Sequence, residues 1–219
     1  MNRTNHQASD LTRQFYHTLT RAYVWFNGQL FHNELPPCMI TLQRHSNTRG
    51  YFATRRFASR QEEETRTHEL ALNPDTFGGR SDLEILATLV HEMTHCWQEE
   101  FGTPGRTGYH NSEWAEKMKA IGLIPSDTGE PGGKQTGTHM THYIDPKGPF
   151  LRSANALLRA GLVLTWQSGR DEKTAQLRKV KAKSKTKYTC PSCGLNAWGK
   201  PEIHLVCGEC DEQLEAEDN

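Results

Sequence analysis

His91-Glu92-Met93-Thr94-His95 places two imidazoles four residues apart with an acid beside the first. On a helix, residues at that spacing differ by ~40° in direction and ~6 Å in height. Both rings can therefore grip one ion from one face. Glu92 is close enough to take a proton from a water polarised by that ion without itself becoming a ligand. This is the hydrolytic unit of zinc metallopeptidases. A catalytic zinc takes a third protein ligand and keeps one position open. His110 leads for that place, since it follows the Gly105–Tyr109 loop and immediately precedes a helix. Glu113 and Glu116 are the carboxylate alternatives. A metzincin would need Gly and His where this chain has Gln98 and Phe101, so that subclass is excluded. Cys96 points ~100° away from His95 and reads as a core cysteine.

A second ligand set lies near the C-terminus. Cys190-Pro-Ser-Cys193 and Cys207-Gly-Glu-Cys210 form two Cys-x-x-Cys pairs separated by thirteen residues. That spacing suits a closed, tetrahedral, structural zinc site in a ribbon too small to fold on its own core. Gly194 and Gly208 suit tight knuckle turns. Two zinc ions per chain follow, one catalytic and one structural. Trp198 and Lys200, with Lys183, Lys185 and Lys187 just before the ribbon, offer stacking and charge for a nucleic-acid strand.

These residues need a scaffold, and the pattern supplies one. Leu11, Phe15, Leu19, Tyr23, Phe26 and Leu30 mark an amphipathic helix from about Ser9 to Asn33, stopped before Pro36-Pro37. Short strands are expected at Met39–Leu42, Gly50–Ala53 and Glu69–Leu72, with an Arg-rich connection between the first and third. Ser81 and Glu84 form a capping box that opens the His91–His95 helix, which runs to about Glu100 and ends at Gly102. Another helix starts near Asn111 and stops at Gly122. Ile124 to Phe150 reads as a long loop, and Leu151 to about Trp166 as a final helix. From that loop His139, His142 and Tyr143 are candidates to line the cleft, and Tyr143 or Tyr109 to stabilise an oxyanion.

The fold class is therefore α+β, a zincin-like, mainly helical core with a small sheet, plus a ribbon. The segments are a protease-like domain over 9–166, a basic linker over 167–187, a ribbon over 188–211 and an acidic tail over 212–219. The tail is read as a flexible segment able to screen the basic linker. The 219 residues carry 26 basic and 26 acidic side chains. Zero net charge excludes a globally basic nucleic-acid binder but leaves locally basic segments. With no ~18-residue apolar run and no apolar signal core, no membrane partner is expected. Paired metal-type cysteines point to an intracellular protein, cytoplasmic or nucleoid-associated.

The combined order resembles the SprT-like metalloproteases, the family of the eukaryotic DNA–protein-crosslink protease Spartan. The residues that carry it are His91-Glu92-x-x-His95, His110 ahead of a Trp/Met helix, Leu35-Pro36-Pro37, Leu70-Ala71-Leu72-Asn73-Pro74 and the terminal four cysteines. Gly108-Tyr109-His110-Asn111 is nearer the bacterial and phage members. The resemblance implies His91, His95 and His110 as zinc ligands and Glu92 as catalytic base. It further implies DNA, single-stranded or at junctions, as partner, and DNA-bound or DNA-crosslinked proteins as substrates. No clamp- or ubiquitin-binding motif is found. A binding protein with a zinc ribbon and a non-proteolytic zincin-like scaffold is the alternative.

Overall fold

A computed structural model describes residues 4–45, 48–169 and 186–217. It divides into two compact units, Met1–Ser168 and Gly169–Asn219.

The first unit is built on two long helices. Helix α1 (Thr4–Phe31) buries Phe15, Leu19, Tyr23, Phe26 and Leu30, as its three- and four-residue apolar steps require. Strands β1 (Met39–Leu42), β2 (Gly50–Ala58) and β3 (Arg66–Leu72) form one sheet in the order β1-β3-β2. The central β3 runs parallel to β1 and antiparallel to β2. β2 and β3 are longer than the apolar alternation suggests, because their register slips between Ala53 and Phe57, where Arg55 has φ +45°.

Helix α2 (Asp82–Phe101) begins on the expected box: Ser81 accepts from the Glu84 N–H, and the Glu84 carboxylate accepts from the Ser81 N–H. Its buried residues run continuously from Ile85 to Thr94 and include His91 and Glu92. A helix buried on so many sides lies at the centre of the core. Helix α3 (Ser112–Ile121) is capped by Asn111 and ends on left-handed Gly122.

The stretch read as a loop contains a two-stranded antiparallel sheet, β4 (Leu123–Ser126) with β5 (Thr141–Ile144). Pro125, which lacks an N–H, hides β4 from sequence but is tolerated because each strand of a pair has a free edge. Helix α4 (Pro149–Arg159) starts two residues earlier than expected and ends well before Trp166, at Ala160-Gly161. It packs on α1, where Phe26 stacks on Phe150 and the Trp25 Nε1–H donates to Ser153 Oγ.

The second unit is a three-stranded sheet in the order β7-β6-β8, from β6 (Thr186–Thr189), β7 (Asn196–Gly199) and β8 (Glu215–Ala216). The acidic end is therefore not a free tail up to Glu217. Leu214 is buried, β8 pairs with β6, and Lys187 Nζ contacts Glu217 Oε1 at 2.5 Å. Lys183 and Lys185 lie outside the described residues. No helix among the described residues is long and apolar enough to cross a membrane.

Candidate metal centres and catalytic cleft

The ring nitrogens of His91, His95 and His110 come within 4.8 Å of one another. α2 supplies the first two one turn apart, and the third comes from the residue before the α3 cap. His95 Nε2 and His110 Nε2 are 3.1 Å apart. Two nitrogens bound to one tetrahedral zinc at 2.0–2.1 Å stand ~3.3 Å apart, so the spacing fits that ion. His110 is locked on both sides of its ring. Its backbone bridges Gly137 in both directions, and its Nδ1–H donates to the Gly137 carbonyl at 3.1 Å. That bond fixes the tautomer and leaves Nε2 as a bare lone pair. Glu113 is no ligand, since its Oε2 accepts from Gln98 Nε2 and from the Thr103 N–H, each at 2.7 Å. Glu116 is exposed and contacts Lys119.

Trp114 forms the floor. Its ring lies 4.9 Å from His91, 4.4 Å from His110 and, nearly parallel, 5.2 Å from His95. Sequence reading placed Trp114 only on an apolar face. The signal available was its position four residues after His110, one helical turn on. Burial presses the His95 pKa down to about 3, with His110 adding to it, and drives His91 well below the ordinary histidine value. The rings are thus neutral, the form that ligates metal. Burial acts oppositely on the Glu92 carboxyl, raising its pKa to about 8.

His142, on β5, sets its Nδ1 3.2 Å from Nδ1 of His91. It is half-buried, and partial burial, then the positive charges of Arg49 and Arg80, lower its pKa to about 4. Tyr143, the next residue, faces the opposite side of the strand and is not among the residues lining the cleft, whereas Tyr109, His139 and His142 are. The cleft, about 670 Å³, opens over the histidines. Gly50, Tyr51 and Phe52 are consecutive residues of β2 along one wall. Because β2 is an edge strand, unpaired backbone groups border the cleft. Gly50 is needed there: a Cβ would stand 2.8 Å from the Ala71 carbonyl oxygen and 3.1 Å from Glu92 Oε1.

A family model described as the SprT-like family matches residues 19–139, more than half of the chain. The chain belongs to the SprT-like family. It is also 54% identical, over 50 residues, to a Salmonella typhimurium protein described as an uncharacterized protein in the mucB 3′ region. That match spans 23% of this chain and 68% of the relative. SprT-like proteins are generally metalloproteases, and the region matched contains the three histidines and Glu92.

In this SprT-like chain the second ligand set is equally well formed. The sulfurs of Cys190, Cys193, Cys207 and Cys210 all lie within 4.8 Å of one another. Sulfurs on a tetrahedral zinc at ~2.3 Å are ~3.8 Å apart, and Cys193 and Cys207 are separated by 3.7 Å. The two knuckles repeat one hydrogen-bond pattern. The Cys190 N–H donates to Leu195 and the Gly194 N–H to Cys190; the Cys207 N–H donates to Glu212 and the Asp211 N–H to Cys207. The left-handed position of each turn is Gly194 (φ 73°) and Asp211 (φ 54°), not Gly208. Trp198 is 62% exposed and sits directly across from Lys187 in the β6–β7 ladder. Lys200 is also exposed.

Proposed function

We propose that this chain is a zinc-dependent endopeptidase that cleaves proteins bound or crosslinked to DNA, stimulated by DNA. The observation that carries the peptidase half is three neutral imidazoles converging beside buried Glu92 in an open cleft walled by an edge strand. His91, His95 and His110 hold the catalytic zinc, and the four cysteines hold a structural one. When bound, the catalytic zinc polarises water and the scissile carbonyl. Glu92 takes the proton from the attacking water and delivers it to the leaving amide nitrogen. Its burial suits that shuttle, because bulk water is kept away from the carboxylate that receives and returns the proton. An extended substrate adds to the free edge of β2, which sets its depth over Glu92. Tyr109, exposed on the cleft lining, is our candidate donor to the developing oxyanion. His142 holds the His91 ring from behind.

The DNA half rests on the ribbon, where exposed Trp198 offers a stacking face near the exposed Lys200 and across the ladder from Lys187, whose charge is shared with Glu217. The test incubates the zinc-loaded chain with a DNA-binding protein, with and without single-stranded DNA. Fragments are expected, more of them with DNA. Glu92→Gln should keep zinc and fold while losing at least ~100-fold in rate. Full activity in that variant overturns the assignment of Glu92. Equal rates with and without DNA overturn the stimulation.

A further inference from the structure

Two guanidinium groups sit near one end of the cleft, and the Glu84 carboxylate is the acid whose charge acts on both. Arg49 lines the cleft, is exposed, and precedes Gly50, which closely approaches Glu92. Its side chain makes no hydrogen bond or close ion pair among the described residues, although the Glu84 charge acts on it. Arg80 lies behind. Its Nη2 donates to Thr88 Oγ1 at 2.7 Å and to the Glu84 carbonyl, and its Nη1 is buried with no partner. Thr88 is itself part of the cleft lining.

The carboxylate near both arginines is already used. Glu84 accepts from the Ser81 N–H at 2.8 Å and from Ser81 Oγ at 2.7 Å, holding the start of α2. The positive charge also reaches inward: Arg49 acts on His91 and His142, and Arg80 on His142. Burial, and then the charge of Arg49, make Arg80 a weaker base than an ordinary arginine. Two positive charges thus share the single negative charge of Glu84, and Arg49, the one on the cleft lining, keeps its donors free for a further anion.

The cleft's other carboxylates are placed or engaged elsewhere. Glu99 accepts from Thr54 Oγ1, and it lies eleven residues beyond Thr88 on α2, ~16 Å along the axis. Asp127 accepts from the Lys134 N–H. Arg106, another cation on the lining, stacks on Tyr109.

We propose that Arg49, backed by Arg80, is a subsite for an acidic side chain of the peptide substrate beside the bond being cut, so that cleavage favours sites next to Asp or Glu. A planar guanidinium with free donors matches a carboxylate bidentately. A peptide carboxylate is favoured over a DNA phosphate because Arg49 is one residue from the glycine that approaches Glu92. A nucleic-acid strand there would occupy the place of the scissile bond. This inference rests on the peptidase reading.

The experiment has two arms. The zinc-loaded full chain digests a reduced, unfolded protein, and the cut sites are mapped by mass spectrometry. Acidic residues should be enriched at one fixed position. Arg49→Gln should abolish the enrichment and Arg49→Glu should replace it with Lys or Arg, both at unchanged melting temperature. Cuts without acidic enrichment, or an enrichment that survives Arg49→Gln, overturn the subsite.

The second arm needs no hydrolysis. Zinc-loaded Glu92→Gln protein binds a fluorescent octapeptide with one central Glu, or its Gln twin, read by anisotropy. The Glu peptide should bind ~10-fold more tightly, and adding Arg49→Gln should remove the difference. Equal binding of the twins overturns the subsite. So does competition by a thymidine oligonucleotide that depends on Arg49, which would make the corner a phosphate site. A wild-type chain that cuts nothing defeats the peptidase reading, while this arm still decides the subsite.

Discussion

His95 and His110 face each other through their Nε2 atoms at 3.1 Å, although one is in the middle of α2 and the other is fifteen residues on. The loop between them, closed by Glu113 on Gln98 and Thr103, brings the third imidazole over the first two. His110→Ala should therefore empty the catalytic site and leave the ribbon loaded, so that zinc falls from about two to about one per chain. Glu113→Ala should keep both ions but lower stability by about 1 kcal/mol, since it takes one acceptor from the buried Gln98 amide, which keeps Asn111 Oδ1, and the acceptor of the exposed Thr103 N–H. Atomic absorption and thermal melts separate the two. Loss of zinc in Glu113→Ala with retention in His110→Ala would reverse the ligand assignment.

The contact between His142 and His91 predicts a role felt through metal affinity. His142→Ala should weaken catalytic-site zinc ~10–100-fold in a chelator competition, as removal of a group that orients a ligating imidazole does. His142→Asn, whose amide oxygen can still accept from His91 Nδ1–H, should recover part of the loss. Unaltered zinc affinity in His142→Ala would make the contact incidental.

Gly50 predicts a steric effect on catalysis. In Gly50→Ala the added methyl meets the Ala71 carbonyl at 2.8 Å and Glu92 Oε1 at 3.1 Å, so β2 or Glu92 must move. The variant should lose about 1–3 kcal/mol of stability and a larger share of kcat than of zinc. A fully active Gly50→Ala would show that Glu92 does not depend on this close approach.

The end of the chain predicts stability rather than screening alone. Removing residues 212–219 takes away buried Leu214, strand β8 and the partner of Lys187. The ribbon should release zinc faster to a chelator than the intact chain does. Glu217→Gln keeps Leu214 and β8 but frees Lys187, so it should retain zinc and bind single-stranded DNA more tightly at low salt. If the truncated ribbon holds zinc as well as the full chain, β8 contributes nothing to it.

The features legible in the sequence are those set within a few residues. The capping box works because Ser81 and Glu84 are three apart on a first helical turn. The pairs His91/His95, Cys190/Cys193 and Cys207/Cys210 carry their geometry in the backbone period itself. α1 follows from apolar spacing alone. Tertiary structure decided what depends on contacts between distant segments. β5 exists because β4 pairs with it, and that pairing brings His142, 51 residues from His91, behind a ligand ring. Gly137 selects the His110 tautomer, and Trp114 becomes a floor only when α3 docks on α2. The burial that raises the Glu92 pKa and lowers those of the histidines is likewise a property of the packed core. A residue's type and spacing limit the chemistry it can do; its dielectric surroundings and partners, supplied by remote parts of the chain, fix which protonation state and direction it holds.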